Sequence, residues 1–106
     1  MSLDVQGVLA DLRREFEALY GPRLARMVLF GSQARGDAEE GSDIDVLMVL
    51  GGPVDPGTEI ARTGRITATL SLKYNAVVSC TFVSAERYSK EKSPFLLNVR
   101  NEGVAL

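Results

Sequence analysis

The order of apolar and polar positions divides the chain into alternating helical and extended stretches. From residue 2 to residue 20, apolar side chains recur at Val5, Val8, Leu9, Leu12, Phe16 and Leu19, the three-and-four spacing of one helix face, while Arg13, Arg14, Glu15 and Glu17 occupy the other. Ser2 can cap this helix and Asp4 suits the positive end of its dipole. Gly21-Pro22 ends it, because Pro22 disfavours a helical residue before it. Leu24 to Phe30 reads as a short buried strand that runs into Gly31-Ser32 and a small polar helical turn through Ala38. After the turn-rich Glu39-Glu40-Gly41-Ser42, Asp43 to Leu50 is β-branched and apolar apart from its two acids, and Gly51-Gly52-Pro53 closes this second strand.

Asp55-Pro56 supplies a cap and first turn for a helix over Gly57 to Tyr74, with Ile60, Thr67, Leu70 and Tyr74 on the inward face and Arg62, Arg65 and Lys73 elsewhere; Gly64 weakens it. Val77 to Val83 predicts a third strand, Ser84 opens a polar turn or short helix, and Ser93-Pro94 starts a last helix that Gly103 terminates. Strands alternating with helices indicate an α/β (α+β) class; whether the strands run parallel is not readable from the pattern. The terminal stretch Pro94, Phe95, Leu96, Leu97 and Val99 carries much apolar surface for a short helix. It is expected to pack into the core, against the first helix, with a subunit interface and hence an oligomer as the alternative.

Composition narrows the class. At 106 residues with 45% apolar and 25% charged side chains, a single domain over residues 1–106 is expected. No apolar run is long enough to span a bilayer, and Asp4 and Asp11 stand where a secretory signal would carry a basic patch and an apolar stretch. The expected location is therefore the cytoplasm, with no membrane partner. A net charge of −2 argues against grip on nucleic acid through many phosphate contacts. Arg62, Arg65, Lys73, Arg87, Lys90 and Lys92 add local positive charge, but Tyr74, Phe82 and Tyr88 form no obvious stacking platform. The single cysteine, Cys80, sits among Val78, Phe82 and Val83 and reads as a small core hydrophobe. With no histidine, any metal must be a hard cation held by carboxylates.

The chemistry concentrates in Phe30-Gly31-Ser32-Gln33-Ala34-Arg35-Gly36-Asp37 and Gly41-Ser42-Asp43-Ile44-Asp45-Val46. Asp43 and Asp45, two apart on a strand, project from one face, where their carboxylates repel unless a cation lies between them. Mg²⁺ shared with substrate phosphates meets that need, since it takes one or two protein carboxylates together with phosphate oxygens and water. Gly31, between strand and helix, lets the backbone turn sharply and present its amides and the Ser32 hydroxyl to an anion, with Arg35 placed to help hold pyrophosphate. Each feature alone has a plainer reading: Gly-Ser is a common turn, Asp-x-Asp a solvated strand edge, and Arg35, Asp37, Glu39, Glu40 and Ser42 ordinary surface residues.

Together, a strand, Gly-Ser-x-Ala-Arg-Gly, a spacer and Ser-Asp-Ile-Asp opening a second strand resemble the minimal nucleotidyltransferases of the DNA polymerase β superfamily, strongly over residues 24–50. The resemblance implies a small mixed sheet flanked by helices, like the polymerase β palm. It also implies a nucleoside triphosphate, ATP first among candidates, two Mg²⁺ ions, and transfer of a nucleotidyl group to an acceptor hydroxyl. Gly31, Ser32, Arg35 and Ser42 would bind the nucleotide, and Asp43 and Asp45 would be the catalytic metal ligands. Members of this size are often encoded beside a HEPN-domain protein, as antitoxin and toxin, so the resemblance makes such a protein a candidate partner.

One departure stands out. Active members place a third carboxylate on the following strand, but Val77-Val78-Ser79-Cys80-Thr81-Phe82-Val83 has no acid, and Ser79 and Thr81 are its polar residues. A hydroxyl cannot act as a general base near neutral pH as a carboxylate can. Glu86, the nearest acid downstream, would have to fold back to serve. The second metal is then held weakly, and the expectations divide between a slow or partner-assisted transferase and a module that binds nucleotide or partner without catalysis.

Overall fold

The apolar run in the second strand is buried on both sides, and that requirement organises the domain. The computed structural model describes residues 4–36 and 43–106. Its elements are α1 (Val5–Tyr20), a 3₁₀ turn (Gly21–Arg23), β1 (Leu24–Phe30), α2 (Ser32–Arg35), β2 (Ile44–Leu50), α3 (Pro56–Tyr74), β3 (Val78–Ser84), α4 (Ala85–Lys90), α5 (Pro94–Glu102) and β4 (Val104–Ala105). The strands form one mixed sheet in the order β3-β2-β1-β4. β1 pairs antiparallel with β2, from Leu24 opposite Leu50 to Phe30 opposite Asp45, and β4 pairs antiparallel with β1. β3 pairs parallel with β2, from Ile44 beside Val78 to Leu50 beside Ser84. With partners on both edges and helices over both faces, β2 buries Ile44 and every residue from Val46 to Leu50, the near-continuous apolar pattern of a strand without a solvent side.

α1 and α3 cover one face. Val8, Leu12 and Phe16 meet Met27, Leu29, Ile44, Val46, Met48, Leu70 and Phe82 there, and the Phe16 and Phe82 rings stack at 6.2 Å. Cys80 packs against this core, and burial pushes its thiol up to about 12, so it behaves as the small hydrophobe expected. α5 covers the other face, where Leu96 and Val99 meet Val28, Leu47, Val49 and Val83. The terminal helix therefore does not pack on α1. It lies across the sheet from it, and leaves Phe95 44% exposed and Leu97 40% exposed.

The helix faces differ from the sequence expectation at two points. On α1 the inward position is Tyr20, and Leu19 is exposed. On α3 Ile60 is exposed and Glu59 is buried. Glu59 is tolerated there because Tyr20 donates its hydroxyl hydrogen to it at 2.7 Å, while Arg62 and Arg23 lie 3.3 and 3.7 Å away; a buried carboxylate needs such partners. Burial, with the Glu59 carboxylate next in weight, raises the Tyr20 hydroxyl well above its ordinary range. Arg23 also donates to the carbonyls of Gly51 and Pro53, fixing the chain just after β2.

The helix starts use side-chain caps. Asp4 accepts from the Gly7 amide at 2.9 Å, Ser84 caps α4 and Ser93 caps α5; Ser2 lies outside the described residues. Asp55 occupies the cap position of α3, but its carboxylate accepts from the Thr58 hydroxyl instead of an amide. α5 stops at Gly103 with an ordinary φ of −70°. Glycine is needed there for space: a Cβ would collide with the Val99 carbonyl oxygen and lie 2.5 Å from Val28 Cγ1. That close approach lets the chain turn into β4, a strand the sequence pattern did not signal. Among the described residues, no helix is long and apolar enough to cross a membrane.

A second charged link ties α1 to α3. Asp11 accepts from Lys73 Nζ at 2.7 Å and from the Tyr74 hydroxyl at 2.6 Å, with Arg14 at 3.0 Å. Its pKa is lowered from 3.8 to about 2, chiefly by the hydrogen bond from Lys73 and then that from Tyr74. A carboxyl depressed by folding stabilises the native state above its unfolded pKa and loses that contribution as pH falls through the folded one. Asp11→Asn should therefore lower the melting temperature near neutral pH. In thermal melts taken across pH, the gap between variant and parent should hold down to about pH 4 and close toward pH 2.

Candidate active site

The turn after β1 is built on glycine. Gly31 has φ +75° and ψ −158°, a region essentially reserved for glycine. Its carbonyl accepts from the amides of Ala34 and Arg35, Gly36 N–H donates to Ser32, and Gly36 closes α2 in the left-handed region. α2 is one turn long, Ser32–Arg35; the part of the expected helical turn that falls on Asp37 and Ala38, with the residues up to Ser42, lies outside the described residues. A single turn carries little macrodipole. What this segment can offer an anion is local: the Ser32 and Gln33 amides, which have no acceptor within the helix, and the Ser32 hydroxyl.

Asp45 meets this turn. The antiparallel register sets it opposite Phe30, and its carboxylate packs on the Gly31 backbone so closely that a Cβ on residue 31 would lie 2.6 Å from Oδ2. Asp43 stands just before β2, exposed, while Asp45 is half-buried. Burial raises the Asp45 pKa, and the negative charge of Asp43 raises it further. The two aspartates are thus electrostatic neighbours, as the Asp-x-Asp spacing predicts. A cation between them would relieve both the desolvation and the repulsion.

The rest of the neighbourhood is short of acids. The parallel register puts Ser79 beside Asp45 and Thr81 beside Leu47. Glu86 does not fold back: it pairs with Lys90 at 3.5 Å at the start of α4. Since Leu50 is level with Ser84, five residues beyond the Asp45 to Ser79 level, the chain enters α4 about 16 Å along the strands from Asp45. Among the described residues no group of three or more His, Cys, Asp or Glu side chains is placed to hold a metal. The donor set here is two carboxylates and a hydroxyl. That suits Mg²⁺ completed by phosphate oxygens and water, and does not suit an ion caged by protein alone.

Arg35 lies 3.7 Å from Glu102 of α5. Both border a cleft of about 180 Å³ whose wall runs from Phe30 and Gly31 to Phe95 and Asn98. Phe95 meets Phe30 edge to face at 5.4 Å. Phe95, Asn98 and Glu102 were not foreseen as neighbours of the site. Their spacing puts them on one helix face, but nothing local in the sequence says which face of the sheet that helix covers. A larger hollow of about 290 Å³, lined by Arg13, Glu17 and Arg26 among others, lies by β4 and shares no residue with this region.

The contact between Gly31 and Asp45 is open to direct measurement. Gly36 also has positive φ, but a Cβ there would meet nothing within 4 Å, so Gly36→Ala should cost about 1–2 kcal/mol in urea unfolding. Gly31→Ala should cost clearly more. In an Asp45→Ala background that excess should shrink by roughly 1 kcal/mol, the coupling expected of residues in direct contact.

Comparison with known proteins agrees with this geometry. Residues 9–99 match the family described as "Nucleotidyltransferase domain". "Putative protein adenylyltransferase MJ0141" of Methanocaldococcus jannaschii is 31% identical over 103 residues, covering 96% of this chain and 98% of that protein. "Putative protein adenylyltransferase MJ0604" of the same organism is 40% identical over 105 residues, covering 98% and 99%. The fold is also that of a solved toxin-antitoxin crystal structure with AMP-PNP, at a TM-score of 0.65 and 21% identity over 95% of this chain and 71% of that one. The matched segment runs from α1 to α5 and includes both aspartates, so this chain belongs to the nucleotidyltransferase domain family.

Proposed function

We propose that this protein transfers an adenylyl group from ATP to a hydroxyl on a partner protein, using Mg²⁺ held by Asp43 and Asp45. The observation that carries the reading is the Asp45 carboxylate packed on the Gly31 turn with Asp43 beside it: a cation and a polyphosphate would share that corner. The two relatives named as protein adenylyltransferases support adenylyl transfer to protein. The toxin-antitoxin neighbour with AMP-PNP supports an antitoxin role toward a partner toxin, for which a HEPN-domain protein is the candidate. The whole chain would act as one domain in the cytoplasm, where ATP is supplied.

In the reaction the acceptor oxygen bonds to the α-phosphorus, the bond from that phosphorus to the bridging oxygen breaks, and pyrophosphate leaves. Mg²⁺, when bound, supplies charge neutralisation at the phosphate oxygens. The chain's own part is positioning: the Ser32 and Gln33 amides and the Ser32 hydroxyl hold the phosphates, Arg35 can leave Glu102 to meet pyrophosphate, and Ser42, outside the described residues, stays a nucleotide-binding candidate from the sequence motif alone. The acceptor proton has no carboxylate on β3 to receive it, because Ser79 stands beside Asp45. Water or a base on the acceptor protein would take it. The same serine favours a second reading, a domain that binds the nucleotide and covers its partner without transferring anything.

Incubation with each α-labelled triphosphate, Mg²⁺ and the copurified partner separates the two. Transfer predicts label on the partner from ATP, lost in Asp43→Asn/Asp45→Asn, and faster with Ser79→Asp by about 100-fold, the low end of what a general base supplies. A stable complex that takes no label with any triphosphate, and gains none with Ser79→Asp, would leave the binding module.

A further inference from the structure

A triphosphate seated at the Gly31 turn leaves its nucleoside end to be placed, and the cleft beside the turn begins at Gly31 itself. We propose that this cleft takes the nucleobase, with Phe95 as the stacking surface and Asn98 as the group that reads the base edge. The assignment rests on the nucleotide reading above and adds to it the residues that would set base preference.

Three features point to a base. Phe95, a large aromatic in the first turn of the helix that covers the sheet, is 44% exposed. Its edge-to-face contact with Phe30 fixes the pair without stacking the two faces against each other, since the rings are inclined at 84°. A ring face is thereby kept available to a flat ligand, and every nucleobase has one. Asn98 lies one helical turn from Phe95 on the same side of α5, exposed and lining the same cleft. A side-chain amide offers a donor and an acceptor together, the pattern that pairs with the amino group and ring nitrogen of adenine. The size fits part of a ligand: about 180 Å³ is too little for a whole nucleotide but suits a flat ring whose phosphates lie outside, at the turn. The Arg35 to Glu102 ion pair closes the rim between the two ends.

The test is binding of Mg²⁺-ATP, Mg²⁺-GTP and Mg²⁺-tripolyphosphate, the last having phosphates and no base, to the full chain by calorimetry. Phe95→Ala should weaken ATP by about 5- to 150-fold, the range for loss of one base-aromatic stack, and leave tripolyphosphate unchanged. Phe95→Leu, which keeps apolar contact with Phe30, should behave as Phe95→Ala does and so exclude misfolding as the cause. Asn98→Ala should lower the preference for ATP over GTP by about 5-fold or more. Asp43→Asn/Asp45→Asn should lose both ATP and tripolyphosphate. If the Phe95 and Asn98 variants bind ATP like the parent while the aspartate variant does not, the cleft assignment fails and the nucleotide reading stands. If the parent binds neither ATP nor tripolyphosphate, the nucleotide reading fails and the assignment with it. Loss of an oligomer in Phe95→Ala at unchanged ATP affinity would give this surface to a protein contact and overturn the proposal.

Discussion

Between the backbone of residue 31 and the carboxylate of Asp45 there is no room for a side chain, and much of the domain is arranged so that these two points meet. They are separated along the chain and joined by the sheet. The antiparallel register of β1 and β2 brings the last residue of one strand level with the start of the other, and a one-residue slip would turn Asp45 to the opposite face, into the α1 and α3 core. What prevents the slip is the burial of Ile44, Val46, Met48 and Leu50 in that core. A slip would exchange them for Leu47, Val49 and the Asp45 carboxylate, and a charge set among apolar side chains without a partner is what the register avoids. Position of the carboxylate is thus a by-product of hydrophobic register.

The sheet divides its labour between its faces. The side toward α1 and α3 holds the larger core and the polar links between those helices, the Tyr20 hydroxyl on buried Glu59 and Lys73 on Asp11. The side toward α5 holds a smaller cluster and, at its edge, Asp45. The Gly31 turn packs on that carboxylate and leaves it half-buried, and the burial raises its pKa. Removing water is what makes a pair of aspartates useful: in bulk solvent their repulsion is weak, and in a half-buried corner it becomes a demand for positive charge.

Most of this could be read in the sequence because it is local. The α1 spacing, the run in β2, the Gly-Ser turn, the Asp-x-Asp pair and the acid-free third strand are patterns within short windows. The misreadings that bear on the core and the site involve partners far along the chain. Glu59 replaces Ile60 on the inner face of α3 because Tyr20 and Arg23, about 36 to 39 residues earlier, satisfy its carboxylate. β4 is two residues long and exists because Gly103 can sit against Val28. Phe95 lies near the site because α5 covers the sheet face opposite α1, a choice of layer that periodicity does not encode. Side-chain pattern says how a helix faces a core; it does not say which core.

Ser79 carries the remaining tension. On the proposed function the corner by Gly31 gathers a metal-nucleotide complex, yet the position level with Asp45 on the next strand offers a hydroxyl where a base would be useful. General-base assistance contributes typically about 10²–10⁴-fold, or some 3–5 kcal/mol of barrier. Lacking it, a domain loaded with ATP would be nearly idle toward water and toward stray hydroxyls. An acceptor protein that brings its own base beside its own hydroxyl would restore that increment at the moment of docking. Discrimination then resides in which partner completes the site, because a hydroxyl presented without the base would react more slowly by the same factor even when bound equally well. A missing carboxylate, on this reasoning, would act less as damage to a transferase than as a condition placed on its acceptor.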